Sequence, residues 1–353
     1  MVCAGGRRRG SSGRGAAGRA AAGVALAVLV VAAGGCAHRH TAAVGWRPAE
    51  AGVGGGVQAA LRKRERFGYR RADALAVERR VTRARAGMVV EDVRMAVRDP
   101  LGRLGRFEQR FIHYRWAGGG ARPTVVVCPL FGDGMLFDKL VARRFCRRGF
   151  NALVVLPAEQ PGDVSRPLAE LDDMFIRYTI MVRMGIDMLE GWPTTDRERI
   201  YGFGISMGAI RAALAFGVEP RIRKVGLLAG GGDIPAIIAD TAYGTLRAAR
   251  AARMAAEAIP DLAVLRARVE DELDIDPLDF ACLRDPEDVF MVIVSADSYV
   301  RAVHQHQLRR AFARPGEGRF PVVVESRAGH IVTACRFGHY VDRMAGFFGG
   351  PGG

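Results

Sequence analysis

The chain is predicted to fold as an α/β protein, a doubly wound, mostly parallel eight-stranded sheet with a helical cap inserted late in the chain. Three observations predict it. Residues 124–128, 151–156, 200–203, 225–229, 289–294 and 320–325 are apolar runs, the pattern of parallel strands buried on both faces. Residues 89–98 and 107–116 alternate instead and flank Asp99-Pro-Leu-Gly102, as an antiparallel hairpin at a sheet edge does. The third observation is Gly204-Ile-Ser-Met-Gly208, set between a strand pattern and the alanine-rich helix pattern of 209–216.

Taken in order, the chain opens with five arginines and no acid in its first 35 residues, followed by the short apolar stretch 20–33. That stretch is too short to span a membrane but fits the core of a signal peptide, assigned to residues 1–35. Ala33-Gly-Gly-Cys36 then resembles the bacterial lipoprotein box, which implies lipidation of Cys36 as the mature N-terminus. With Ala37 after the cysteine, sorting as in diderm bacteria implies the outer membrane, facing the periplasm; an ordinary secreted or periplasmic protein is the alternative.

Residues 36–87 are expected to be a Gly/Ala-rich tether running into a basic helical segment from 57 to 85. Its arginines would either lie on anionic headgroups or face water from a helix packed on the domain. The net charge of +15 would favour anionic headgroups or acidic polymers, although an arginine-rich solvated surface that reflects composition accounts for it equally simply. No zinc-finger, helix-turn-helix or aromatic-plus-basic strand pattern is present, so nucleic acid is not an expected partner. Cys128, Cys146, Cys282 and Cys335 are widely spaced, with no C-x-x-C pair to suggest zinc or redox work, and read as core thiols. An oxidising compartment would permit one disulfide, Cys128 with Cys146.

The domain proper is placed at 88–353. Between its strands, residues 136–148, 174–190, 209–216, 301–313 and 331–348 have helical patterns. From about 233 to 288 no strand appears, and helices over 235–258 and 261–272 would form a cap over the strand ends.

Ser206 is the candidate nucleophile. A tight strand-to-helix turn holds such a serine clear of the sheet at a helix N-terminus, and Gly204 and Gly208 let strand and helix approach. A serine hydroxyl needs a base, and the base needs an orienting acid. His330 follows the last strand and is the candidate base; Asp297 follows the strand before it and is the candidate acid, with Asp233 as the alternative. Serine, acid, histidine is the chain order that parallel sheets of this kind use. Backbone N–H groups of Met207 and of Phe131, with Leu130 second, are the candidate oxyanion hole. No metal or cofactor site is expected.

From about residue 88 onward the chain resembles the α/β-hydrolases and, within them, is similar to bacterial hydrolase lipoproteins. The resemblance rests on Gly204-Ile-Ser-Met-Gly208, Ala229-Gly-Gly-Gly-Asp233, Asp276-Pro-Leu278, Asp297 three before Val300, and Gly329-His330. Arg301 stands where proline usually follows that valine. The resemblance implies the α/β-hydrolase fold and a cofactor-independent serine hydrolase acting on a small-molecule or lipid ester. Amide or thioester cleavage, and a non-catalytic binding or scaffold lipoprotein, are the alternatives.

Overall fold

The computed structural model describes residues 56–130, 135–159 and 166–349. The leader, Cys36 and Phe131 lie outside the described residues. Among the described residues one sheet of nine strands, not eight, organises the fold: β1 Ala74–Arg85, β2 Met88–Arg98, β3 Arg106–Trp116, β4 Arg122–Cys128, β5 Asn151–Val155, β6 Thr195–Ile205, β7 Ile222–Leu228, β8 Val289–Val294 and β9 Val322–Ser326, in the order β1-β2-β3-β5-β4-β6-β7-β8-β9. β1, β2 and β3 pair antiparallel, β3 joins β5 antiparallel, and every pair from β5 through β9 is parallel.

The ninth strand corrects the basic helical segment. Only α1, Gly56–Arg64, is α-helical there; Ala74–Arg85 pairs with β2 across its length. The misreading has a physical cause. β1 is exposed along almost all its residues and so lacks the apolar alternation that marks a half-buried strand. The sheet therefore begins before residue 88, the expected domain boundary.

The remaining helices are α2 Met135–Arg147, α3 Leu171–Glu190, α4 Met207–Val218, α5 Ile234–Asp240, α6 Gly244–Ala256, α7 Leu262–Glu272, the single turn α8 Pro277–Phe280, α9 Ala302–Phe312, α10 His330–Cys335 and α11 Phe337–Phe347. Two cores lie on opposite faces of the sheet. Phe145 of α2 and Tyr340, Val341 and Met344 of α11 pack with Val125, Phe203 and Val292. Phe175 of α3, Leu214 of α4 and Phe312 of α9 pack with Val126, Leu153 and Met291 on the other face. Successive strand residues point to opposite faces, so unbroken apolar runs are what this double cover requires.

α5, α6, α7 and α8 fill the interval between β7 and β8 and form the expected insertion, although 235–258 is two helices rather than one. The terminal helix is likewise divided, at Arg336. Cys128 and Cys146 are both buried and free, so the disulfide allowed from sequence is not formed. Burial pushes each thiol up to about 12, which leaves them inert. Among the described residues no helix is long and apolar enough to cross a membrane.

Candidate active site

Register brings the candidate residues to one edge. Ile205 pairs with Leu228, Leu228 with Val292, and Val294 with Ser326, so β6 to β9 end together. Ser206 follows Ile205 directly; Asp297 and His330 lie on the loops that leave β8 and β9.

Ser206 has φ 55° and ψ −121°, a region that side chains other than hydrogen disfavour. It is held there from both sides: its N–H donates to the Leu228 carbonyl at 2.8 Å, and its carbonyl accepts from Ala209 at 2.9 Å and Ile210 at 3.2 Å. The flanking glycines are sterically required. A Cβ on Gly204 would run into the Gly208 carbonyl, and one on Gly208 into the Cys128 carbonyl. The turn thus packs strand, helix and the end of β4 against one another at backbone contact. Ser206 itself is half-buried.

His330 is the first residue of α10, and its Nδ1 lies 2.6 Å from Asp297 Oδ2. Because an ionised carboxylate only accepts, Nδ1 carries the hydrogen and Nε2 keeps its lone pair for a proton. Tyr299 flanks the imidazole, ring centroids 4.9 Å apart. Asp297 is held by its own loop: Oδ1 accepts from the Tyr299 and Val300 N–H groups at 2.7 and 3.0 Å, and Oδ2 also accepts from Gln305 Nε2 at 3.0 Å. Gln305 is fully buried and also accepts from the Val294 N–H at 2.9 Å, which fastens the acid to the end of β8. Nothing in the sequence singles out Gln305. It sits eight residues beyond Asp297, inside α9, with no motif around it.

Among the described residues no hydrogen bond joins Ser206 Oγ to His330 or to Asp297. In free hydrolases this contact is often long and closes in the substrate complex.

The alternative acid, Asp233, is engaged elsewhere. It caps α5 by accepting from the Ala236 N–H at 3.2 Å, faces Arg266 at 3.6 Å, and makes no contact with His330. Asp276 pins that corner, accepting from the N–H groups of Asp233, Ile234 and Leu278 at 3.1, 2.7 and 2.9 Å. Burial raises its carboxyl to about 6 against those three donors. The stretches around Asp233 and Asp276 that carried the family resemblance therefore tie the root of the insertion to the sheet.

For the oxyanion hole, Met207 opens α4, so its N–H has no acceptor within the helix and the helix dipole adds positive potential there. Leu130, the second choice from sequence, is excluded, since its N–H donates to Asp138 Oδ1 at 3.2 Å. Asp138 is itself buried, and burial pushes its carboxyl up to about 6. Among the described residues no group of three or more His, Cys, Asp or Glu could hold a metal ion.

No protein-family model matches the chain, and no curated protein sequence does. Solved structures do. Acetyl xylan esterase 1 from a Thermoanaerobacterium species is 15% identical with TM-score 0.53, covering 78% of this chain and 88% of its own. An acetyl xylan esterase from a Paenibacillus species is 12% identical with TM-score 0.53, covering 82% and 92%. A glucuronoyl esterase from Teredinibacter turnerae is 12% identical with TM-score 0.52, covering 81% and 83%. Together with the strand order and the turn at Ser206, these similarities establish that the chain has the α/β-hydrolase fold.

Proposed function

We propose that the protein is a serine hydrolase of carboxylic esters. The observation that carries this reading is the Asp297–His330 pair, 2.6 Å apart, on the same sheet edge as the strained turn of Ser206. The names of the three similar structures support ester chemistry; the xylan and glucuronoyl substrates in those names belong to those proteins.

In the reaction, Ser206 Oγ attacks the ester carbonyl carbon while His330 Nε2 takes its proton. Asp297 stabilises the imidazolium and keeps Nδ1–H turned inward. The Met207 N–H stabilises the oxyanion, with a second donor expected from Phe131. His330 then protonates the departing alkoxide, leaving an acyl-Ser206 ester that water, activated by the same histidine, hydrolyses. The expected home is the cell envelope, through lipid on Cys36.

A fluorophosphonate probe should label the full chain, and Ser206→Ala should abolish both labelling and p-nitrophenyl ester turnover. Folded protein that neither labels nor turns over ester would instead be a binding or scaffold lipoprotein. Metabolic labelling with an alkynyl fatty acid, lost in Cys36→Ala, tests the anchor.

A further inference from the structure

We propose that the space between the start of α4 and the inserted helices is an acyl slot, which makes the protein, if the serine-hydrolase reading holds, an esterase for linear acyl chains of about four to six carbons rather than for acetyl groups alone.

The slot lies against the nucleophile turn. Met207, the residue after Ser206, and Ile210 one turn further along α4 form its floor. Leu168 just before α3, with Leu171 and Phe175 in its first turns, forms one wall, and Ile237 of α5 with Leu246 of α6 form the roof. The lining is overwhelmingly aliphatic. Thr241, Arg250 and Arg253 are also in it, but the Arg250 guanidinium is committed to the backbone carbonyls of Ile238 at 2.9 Å and Thr241 at 3.4 Å, and that of Arg253 to the Arg166 carbonyl at 2.6 Å and Glu257 at 3.0 Å. A carboxylate or sugar hydroxyl would find little to bond; an alkyl chain loses nothing by entering.

Topology decides which half of an ester enters. The tetrahedral carbon on Ser206 Oγ carries the oxyanion, the acyl chain and the leaving oxygen, and the leaving oxygen must reach His330 to be protonated. Among the described residues, every one that lines the cavity comes from the α3 side, α4 or the insertion, and none from the β8 or β9 loops that hold Asp297 and His330. The alcohol therefore stays beside His330, and the acyl chain turns away from it into the slot.

Size sets the length. The cavity volume is about 50 Å³. A water-sized group needs roughly 10–15 Å³ of such space, so about four fit, and a methylene is of that size. Each methylene buried should raise kcat/KM about three- to fourfold until the slot is full.

The test uses the full chain in nanodiscs and p-nitrophenyl esters from acetate to decanoate, kept below their micellar concentrations. The expected profile rises at least tenfold from acetate to an optimum at butyrate or hexanoate and falls by decanoate. Leu246→Trp should cut hexanoate turnover tenfold or more with acetate held within about threefold. Leu246→Ala should move the optimum to longer chains. Leu246 is only half-buried, and Ile238→Trp gives a second variant from the roof. Varying instead the alcohol of a fixed butyrate ester should give the same ratios in wild type and Leu246→Trp. An active enzyme with a flat acyl profile, or one in which Leu246→Trp changes alcohol selectivity instead, overturns the slot alone. Loss of turnover and of fluorophosphonate labelling in wild type overturns the serine-hydrolase reading and the slot with it.

Discussion

His113 and His330 are both buried, and each donates Nδ1–H to a carboxylate, Glu91 at 3.0 Å in one case and Asp297 at 2.6 Å in the other. Chemically the two pairs are the same. Their surroundings are opposite. Glu91 is shared among three cationic or polar partners, His113, Arg79 at 2.7 Å and Arg115 at 3.2 Å, in the antiparallel part of the sheet. Trp192 packs on His113 with ring centroids 4.7 Å apart, and His113 Nε2 is sealed with no partner. Asp297 is held by two backbone N–H groups and one amide, all neutral, so no guanidinium dilutes the charge it offers His330. A carboxylate–histidine pair is thus not a site in itself. On the proposed reading, placement at the ends of parallel strands near the Ser206 turn is what would make His330 a base, while His113 serves as a brace.

The comparison breaks if the two histidines behave alike. His330→Ala is expected to lower kcat by about 10⁴-fold or more with little change in thermal melting, whereas His113→Ala should leave kcat within about threefold and cost about 2–4 kcal/mol of stability in urea titrations. Asp297→Asn should lower kcat by about 10⁴-fold, because the amide can hold the imidazole in the wrong tautomer.

Acidity tests the Glu91 brace. Burial alone would raise Glu91, but hydrogen bonds from His113, Arg79 and Arg115 outweigh it and hold the carboxyl at about 2, against 4.5 unfolded. Its contribution is therefore complete above pH 4.5 and drains away as pH falls toward 2. Glu91→Gln should cost on the order of 2–3 kcal/mol at pH 7, and the gap between variant and wild type should narrow on acidification, seen by denaturant titration across that range. The smallest effect sharpens the choice of acid: Asp233→Asn keeps an N-cap acceptor and should leave kcat within about twofold and stability within about 0.5 kcal/mol.

How much of this was legible depended on whether a residue's role is local. The turn at Ser206 is written in five consecutive residues, and the parallel strands in unbroken apolar runs, so both could be read directly. Asp297 and His330 could be found because each closely follows a strand, and His113 could be set aside because it does not. Gln305 and Asp138 act through contacts made only when distant segments meet, one on the acid and one on the Leu130 N–H. β1 exists because β2 offers it a ladder, and its own side chains, nearly all in water, carry no trace of that. Asp297 Oδ1 caps its own loop, as an N-cap reading of the sequence would have it, while Oδ2 faces His330, so one carboxylate can serve both purposes.

Among the described residues, β1 is the outer strand at one margin of the sheet, the usual template for runaway stacking between chains. Along that margin Arg80, Arg83 and Arg85 are exposed, and among the described residues none has an ion-pair partner. Two molecules meeting there would bring like charges face to face. Pairing of two such edges through those three arginines would therefore carry a charge penalty.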